Sequence, residues 1–191
     1  MYSHRIERAI QAAAVLHKNQ VRKGDTSLPY ITHLASVAWL VRDYYDDENT
    51  IISAWLHDTL EDTDYTAVEL EEDFGFEVRK LVESLSEPQD QTISERKRVY
   101  IEQMKTAPEE ALIISAADKI HNLRSVVEQY YNDTDAFLRD FPASLDVTNM
   151  FYLNLSNILN RRLNNDIIAE FNHVYTEYKN FLTHVKIKSE K

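Results

Sequence analysis

The sequence predicts an all-α fold, and three observations point to it. Its 191 residues include only two glycines and four prolines, too few breakers for the turns of a multi-stranded sheet. Apolar residues recur at helical spacing through most of the chain. Threonines stand three residues ahead of glutamates just before such stretches, the signature of a capping box. The length suits one domain, residues 1–191, with a substantial core.

Taken in order, the first helix is expected over about His4 to Asn19, with Ile6, Ile10, Ala13, Ala14 and His17 on one face. A loop holding Gly24 and Pro29 ends it. A second helix spans about Ile31 to Tyr44 and a third about Glu48 to Leu60. Thr66-Ala-Val-Glu69 opens a short helix that Phe74-Gly75 closes, and another apolar-periodic run spans Val78 to Leu85. The polar stretch Ser86 to Thr92 reads as a surface loop. Thr106-Ala-Pro-Glu109 is a second capping box, opening a helix to about Leu123. An acidic irregular segment, Asn132 to Asp146, precedes two last helices at about Val147 to Asn160 and Asp166 to Val185, and the tail from Lys186 should fray.

Composition narrows the function. A formal charge of −11 argues against a general nucleic-acid binder, which needs a cationic surface to displace counterions from phosphates. A metal or local cations can still reverse the field inside a pocket for a small phosphorylated ligand. With no cysteine, any metal must be held by histidine and carboxylate. No apolar run reaches the ~18 residues of a membrane span, and a cytoplasmic protein is expected. No heptad seam is sustained, so the oligomeric state stays open.

The chemistry concentrates in Trp55-Leu-His-Asp-Thr-Leu-Glu-Asp-Thr63. On a helix, His57 shares a face with Glu61 and Asp58 with Asp62. Three carboxylates in a turn and a half would repel one another if buried, and a divalent ion removes that objection. His33 near the start of the second helix, and Asp118 among small residues in Ser115-Ala-Ala-Asp-Lys-Ile-His-Asn122, are the further candidates. Two imidazoles and two carboxylates suit Mn, Fe, Co or Zn.

Three segments, in this order and spacing, resemble the HD phosphohydrolase superfamily, and more narrowly the small alarmone hydrolases of the RelA/SpoT type. They are Arg22-Lys-Gly24 with Pro29-Tyr-Ile-Thr-His33, Leu56-His-Asp-Thr-Leu-Glu-Asp-Thr63, and Ala116-Ala-Asp-Lys-Ile-His-Asn-Leu-Arg124. The resemblance covers about residues 4 to 125. It implies a multi-helix HD domain in which His33, His57, Asp58 and Asp118 ligate Mn²⁺. Glu61 and Asp62 would position and deprotonate the attacking water. Arg22, stacking on the base, and Lys23 would line the nucleotide pocket, and Asn122 would meet the ribose. The implied reaction removes pyrophosphate from the 3′ position of guanosine tetra- or pentaphosphate. Relatives carry a Tyr and an Arg on a later helix that contact phosphates; Tyr152, Arg161 and Arg162 are the candidates here. Arg96-Lys-Arg98 either rims the pocket or is a solvated helix face, and His121 reads as structural. Two other readings stay open: an HD phosphohydrolase acting on an adenine alarmone or NADPH, and a catalytically silent nucleotide-binding protein.

Overall fold

The computed structural model describes residues 3–22, 25–135, 137 and 145–189. Helix α1 (His4–Leu16) starts where the Ser3 hydroxyl accepts a hydrogen bond from the Ile6 amide, and it buries Ala9 and Ala13. Where the sequence suggested only a loop, a short antiparallel hairpin forms between β1 (Val21–Arg22) and β2 (Asp25–Pro29), with Val21 opposite Pro29. Strands this short carry no alternating pattern to read. Helices α2 (Ile31–Tyr44), α3 (Glu48–Leu56), α4 (Thr59–Asp62), α5 (Ala67–Phe74) and α6 (Phe76–Leu85) follow. After them come α7 (Ile93–Met104), α8 (Glu109–Asn132), α9 (Leu145–Arg162) and α10 (Ile167–Ser189).

The all-α expectation holds, with local corrections. Thr66 and Glu69 form the expected capping box of α5. Gly75 then takes φ 92°, the left-handed region that favours glycine, so α6 can start at once in a new direction. The second working box is Thr92 with Glu95 at the start of α7. Thr106 instead donates to the Gln103 carbonyl, and α8 begins after Pro108 with Glu109 and Glu110 in its first turn. That helix runs on to Asn132, well past Leu123, and the last helix reaches Ser189. Part of the irregular segment expected over 132–146 lies outside the described residues.

Helix α8 is the spine. From Ala111 to Ala117 it is buried on every side, and it packs against α2, α3, α6 and α10. Fully buried Leu112, Ile113, Ile114, Ile120 and Leu123 each contribute about 1.5–3 kcal/mol by leaving water, so Asp118 rides on one of the stiffest parts of the molecule. A second cluster fills the space between α1, α3, α5 and α6 through Ala13, Ile52, Leu56, Leu70 and Val78. Helices α2 and α3 contribute to both clusters, and the functional side chains lie where the two meet. Among the described residues, no helix is long and apolar enough to cross a membrane.

Candidate metal centre and active site

The expected third helix breaks at the point where the chemistry sits. Helix α3 ends at Leu56 and α4 starts at Thr59, with Asp58 at φ −96°, ψ −3°. Two side chains stabilise the break: the Thr59 hydroxyl donates to the Leu56 carbonyl at 2.6 Å, and His57 Nδ1 to the Ala54 carbonyl at 2.8 Å. On an unbroken helix neighbouring side chains diverge by about 100°. Here the turn brings His57 and Asp58 into one cavity, with His57 Nε2 3.2 Å from Asp58 Oδ2.

Helix α2 adds His33, whose Nε2 lies 3.5 Å from Asp58 Oδ2 and 3.3 Å from Asp118 Oδ1. Asp118 Oδ1 is also 3.9 Å from His57 Nε2. The four expected ligands are thus brought together. His33 and His57 are 1% and 4% exposed, and Asp118 7%. Ligand atoms of His33, His57 and Asp58 all fall within 4.8 Å of one another.

Hydrogen bonding decides which nitrogens face inward as acceptors. Since His57 Nδ1 donates to a carbonyl, a neutral His57 carries its lone pair on Nε2, a buried atom with no hydrogen-bond partner. His33 is anchored the same way at its far side, its Nδ1 lying 2.9 Å from His121 Nδ1. Lone pairs of two imidazoles therefore point at carboxylate oxygens, which is repulsive unless a cation lies between them. The donor set fits a divalent transition ion, and the orphaned His57 Nε2 is the atom that asks for one. A proton is the ion-free substitute. Burial opposes it, yet Asp118 and Asp58 bonds and charges carry His33 above the ordinary histidine pKa. Burial likewise works against charge on Asp58 and Asp118, but facing groups hold both carboxyls below the usual range: His57 and His33 for Asp58, and Lys119 with His33 for Asp118.

Partners around this group fix its orientation. The Tyr30 hydroxyl donates to Asp58 Oδ2 at 2.7 Å. Lys119 donates to Asp118 Oδ2, and Asn122, one turn further along α8, to Asp118 Oδ1. His121 is held neutral, with its pKa down to about 4 through burial and the adjoining His33 and Arg22 charges. His121 is therefore an acceptor for His33, a role that reading it as a merely structural residue missed. Arg22 donates to Asn122 at 3.1 Å, and its guanidinium lies 5.7 Å from the Tyr30 ring centroid. Lys23 lies outside the described residues.

Of the two expected catalytic carboxylates, Glu61 reaches the metal cavity. It accepts from the Glu87 amide at 2.8 Å and meets Arg96 at 3.3 Å. Burial pushes its pKa up to about 7; the Glu87 amide opposes the rise, and the Asp58 and Glu87 charges add to it. Asp62 is exposed and is not among the cavity-lining residues; it lines a neighbouring groove with Gln20 and Thr63, which Glu61 also borders. Its charge still reaches the phenol of Tyr30. Of the basic run, Arg96 reaches the cavity and braces Glu61 against Glu87, whereas Arg98 faces elsewhere. On the later helix, Tyr152 is buried among aromatic rings. Arg162 donates to the Met104 and Ala107 carbonyls, closing the end of α7, and Arg161 faces a groove between α7 and α9.

The cavity measures about 120 Å³, room for an ion with a phosphate group or a few waters of about 30 Å³ each, and a nucleoside must extend beyond it.

Residues 9–140 match the HD domain family. The human guanosine-3′,5′-bis(diphosphate) 3′-pyrophosphohydrolase MESH1 (Homo sapiens) is 38% identical over 120 residues, which cover 62% of this chain and 67% of that protein. A solved structure of a metazoan ortholog of SpoT, reported to hydrolyze ppGpp, superposes with a TM-score of 0.75 at 25% identity, over 93% of this chain and 97% of that one. The crystal structure of lmo0812 from Listeria monocytogenes EGD-e superposes with a TM-score of 0.68 at 28% identity, over 79% and 99% of the two chains.

Proposed function

Because this chain belongs to the HD domain family, we propose that it is a metal-dependent hydrolase that removes the 3′-pyrophosphate of guanosine tetra- and pentaphosphate, leaving GDP or GTP. The observation that carries the reading is the pair of buried imidazole Nε2 atoms facing carboxylate oxygens, with Glu61 on the same cavity. Identity to MESH1 supports the substrate, since that relative is named for this reaction.

His33, His57, Asp58 and Asp118 are the residues proposed to hold the ion, and Mn²⁺ is the ion proposed. When bound, such an ion supplies positive charge that draws electrons from the reacting phosphate and acidifies the attacking water. The chain itself does the rest. Glu61 accepts the water's proton, a task for which a carboxylate near pKa 7 is well matched at neutral pH. Arg96 and the Glu87 amide keep that carboxylate aimed. Lys119, paired with Asp118 on the cavity wall, adds fixed positive charge where phosphate oxygens must lie. Arg22, Lys23 and Asn122 are assigned to the nucleoside, with Arg22 offering a planar cation for the base. Asp62, turned away from the cavity, acts in this proposal only through its charge near Tyr30. Water forms a new bond to phosphorus, the bond from phosphorus to the ribose 3′ oxygen breaks, and that oxygen leaves with a proton.

Turnover in ¹⁸O-labelled water tests this reading. The label is expected in pyrophosphate and not in the ribose 3′ hydroxyl of the GDP product. Release of single phosphates, or no consumption of the nucleotide with any divalent ion, would overturn it.

A further inference from the structure

Among the buried histidines, His17 stands apart from the metal cavity. It closes α1, is 2% exposed, and its Nε2 is buried with no hydrogen-bond partner. A phenylalanine would fill the same space without stranding an acceptor, so the histidine needs another reason.

Its ring face and its other nitrogen both lead towards the hydrolytic centre. The ring stacks on Tyr30, with centroids 5.2 Å apart and planes at 21°. Tyr30 is thereby wedged between His17, the His33 ring at 5.6 Å and the Arg22 guanidinium. Its hydroxyl donates to Asp58 Oδ2, and burial together with the Asp58 charge raises the phenol pKa, so it stays a donor. On the other side, His17 Nδ1 lies 2.6 Å from Gln20 Oε1. Gln20 Nε2 donates to the Asp62 carbonyl, so Oε1 is the acceptor and His17 Nδ1 the donor. Asp62 ends α4, the four-residue helix that begins after Asp58 and carries Glu61. A helix of one turn has too few internal bonds to fix its own direction, and its last carbonyls need outside partners. Gln20 supplies one, and its own carbonyl accepts from the Tyr30 amide, which ties the two arms together.

We propose that His17 is a positioning residue for the active site: its ring face sets Tyr30 against Asp58, and its Nδ1–H sets Gln20 against the end of α4, which aims Glu61. The Glu61 half rests on the hydrolase reading above; the Tyr30 half concerns ion binding alone.

Two substitutions take the halves apart. His17→Phe keeps a ring on Tyr30 but has no donor for Gln20. Its ion-free Tm is expected to equal or exceed that of wild type, because the stranded Nε2 is gone, and its Mn²⁺ affinity to be unchanged. Its kcat for guanosine 3′,5′-bis(diphosphate) is expected to fall roughly ten- to 100-fold with KM little changed, as a small misplacement of a catalytic group brings. His17→Asn puts an amide donor where Nδ1 was and removes the ring. There kcat at saturating Mn²⁺ is expected to recover towards wild type, while Mn²⁺ affinity, followed by electron paramagnetic resonance of the free ion, falls roughly tenfold. That loss runs through the Tyr30 hydroxyl, so it should vanish in a Tyr30→Phe background. A residue that merely fills space would lower Tm, ion affinity and kcat together in both variants, and that pattern would overturn the proposal. So would wild-type kcat in His17→Phe, or the same loss of affinity from His17→Asn with and without the Tyr30 hydroxyl. A wild type that releases no pyrophosphate sinks the substrate reading instead. The Mn²⁺ comparison then decides, and wild-type affinity in His17→Asn overturns the positioning role.

Discussion

His121 offers a sharp test of how the proposed metal centre is built. His33 is 1% exposed and its Nδ1 lies 2.9 Å from His121 Nδ1, so one of the two must donate. If His33 gives its Nε2 lone pair to the ion, its proton sits on Nδ1 and His121 is the acceptor. Burial and the Arg22 charge lower the His121 pKa, which keeps that lone pair available at neutral pH. His121→Phe preserves a flat ring but removes the acceptor, leaving a buried N–H unsatisfied at a cost of about 1–3 kcal/mol. That corresponds to roughly five- to 150-fold weaker ion binding, in line with the ten- to 100-fold usual for an outer partner of a ligating histidine. The assay is a Mn²⁺ titration followed by electron paramagnetic resonance of the free ion, comparing wild type with H121F and H121N. The asparagine carbonyl can accept, so partial recovery is expected there. A His121→Phe protein that binds Mn²⁺ as tightly as wild type would refute the argument.

Other outcomes follow from the same geometry. Glu61→Gln should lower kcat by about 10²–10⁴-fold with Mn²⁺ affinity little changed, and Asp62→Asn, being off the cavity, should cost far less; equal losses would contradict the separation. Because a general base must be deprotonated, kcat/KM should fall about tenfold per pH unit on the acid side. The midpoint should lie no higher than the ion-free Glu61 value of about 7, since a nearby dication draws it lower; persistence of this limb in E61Q would assign it to another group. Mn²⁺ at 100 times its Kd should add about 2.7 kcal/mol of stability, a Tm rise of roughly 5–11 °C for a domain of this size, and Asp58→Asn should remove most of it. His33 holds a proton above its ordinary pKa when no ion is bound, so that proton competes with the ion, and apparent Mn²⁺ affinity should rise with pH until His33 is deprotonated; a pH-independent affinity would contradict this.

Much of the site was legible because short motifs fix its local chemistry. His57 and Asp58 announced themselves as ionisable neighbours ending an apolar helix, and Asp118 as a carboxylate amid alanines that only a buried helix would hold. What the motif hid was the break between α3 and α4. Two side-chain bonds to backbone carbonyls produce it, and a periodicity that runs through the break looks like one helix. This is also why Asp62, expected one turn beyond Asp58 on the same face, turns to solvent. The Thr106 box failed because Pro108 starts α8 without help from a side chain, while the Thr92 box opens a helix whose apolar pattern is weak. Arg96 bracing Glu61 and Arg162 closing α7 are both long-range pairings. Nothing local in the chain encodes them, since each depends on how α7 docks against its neighbours.

The most direct measurement is pyrophosphate release from guanosine 3′,5′-bis(diphosphate) by metal-stripped protein, with and without added Mn²⁺, beside Asp58→Ala. Release that requires the ion and is abolished by the substitution is the expected result. No release with any divalent ion, or undiminished release by Asp58→Ala, would contradict the account.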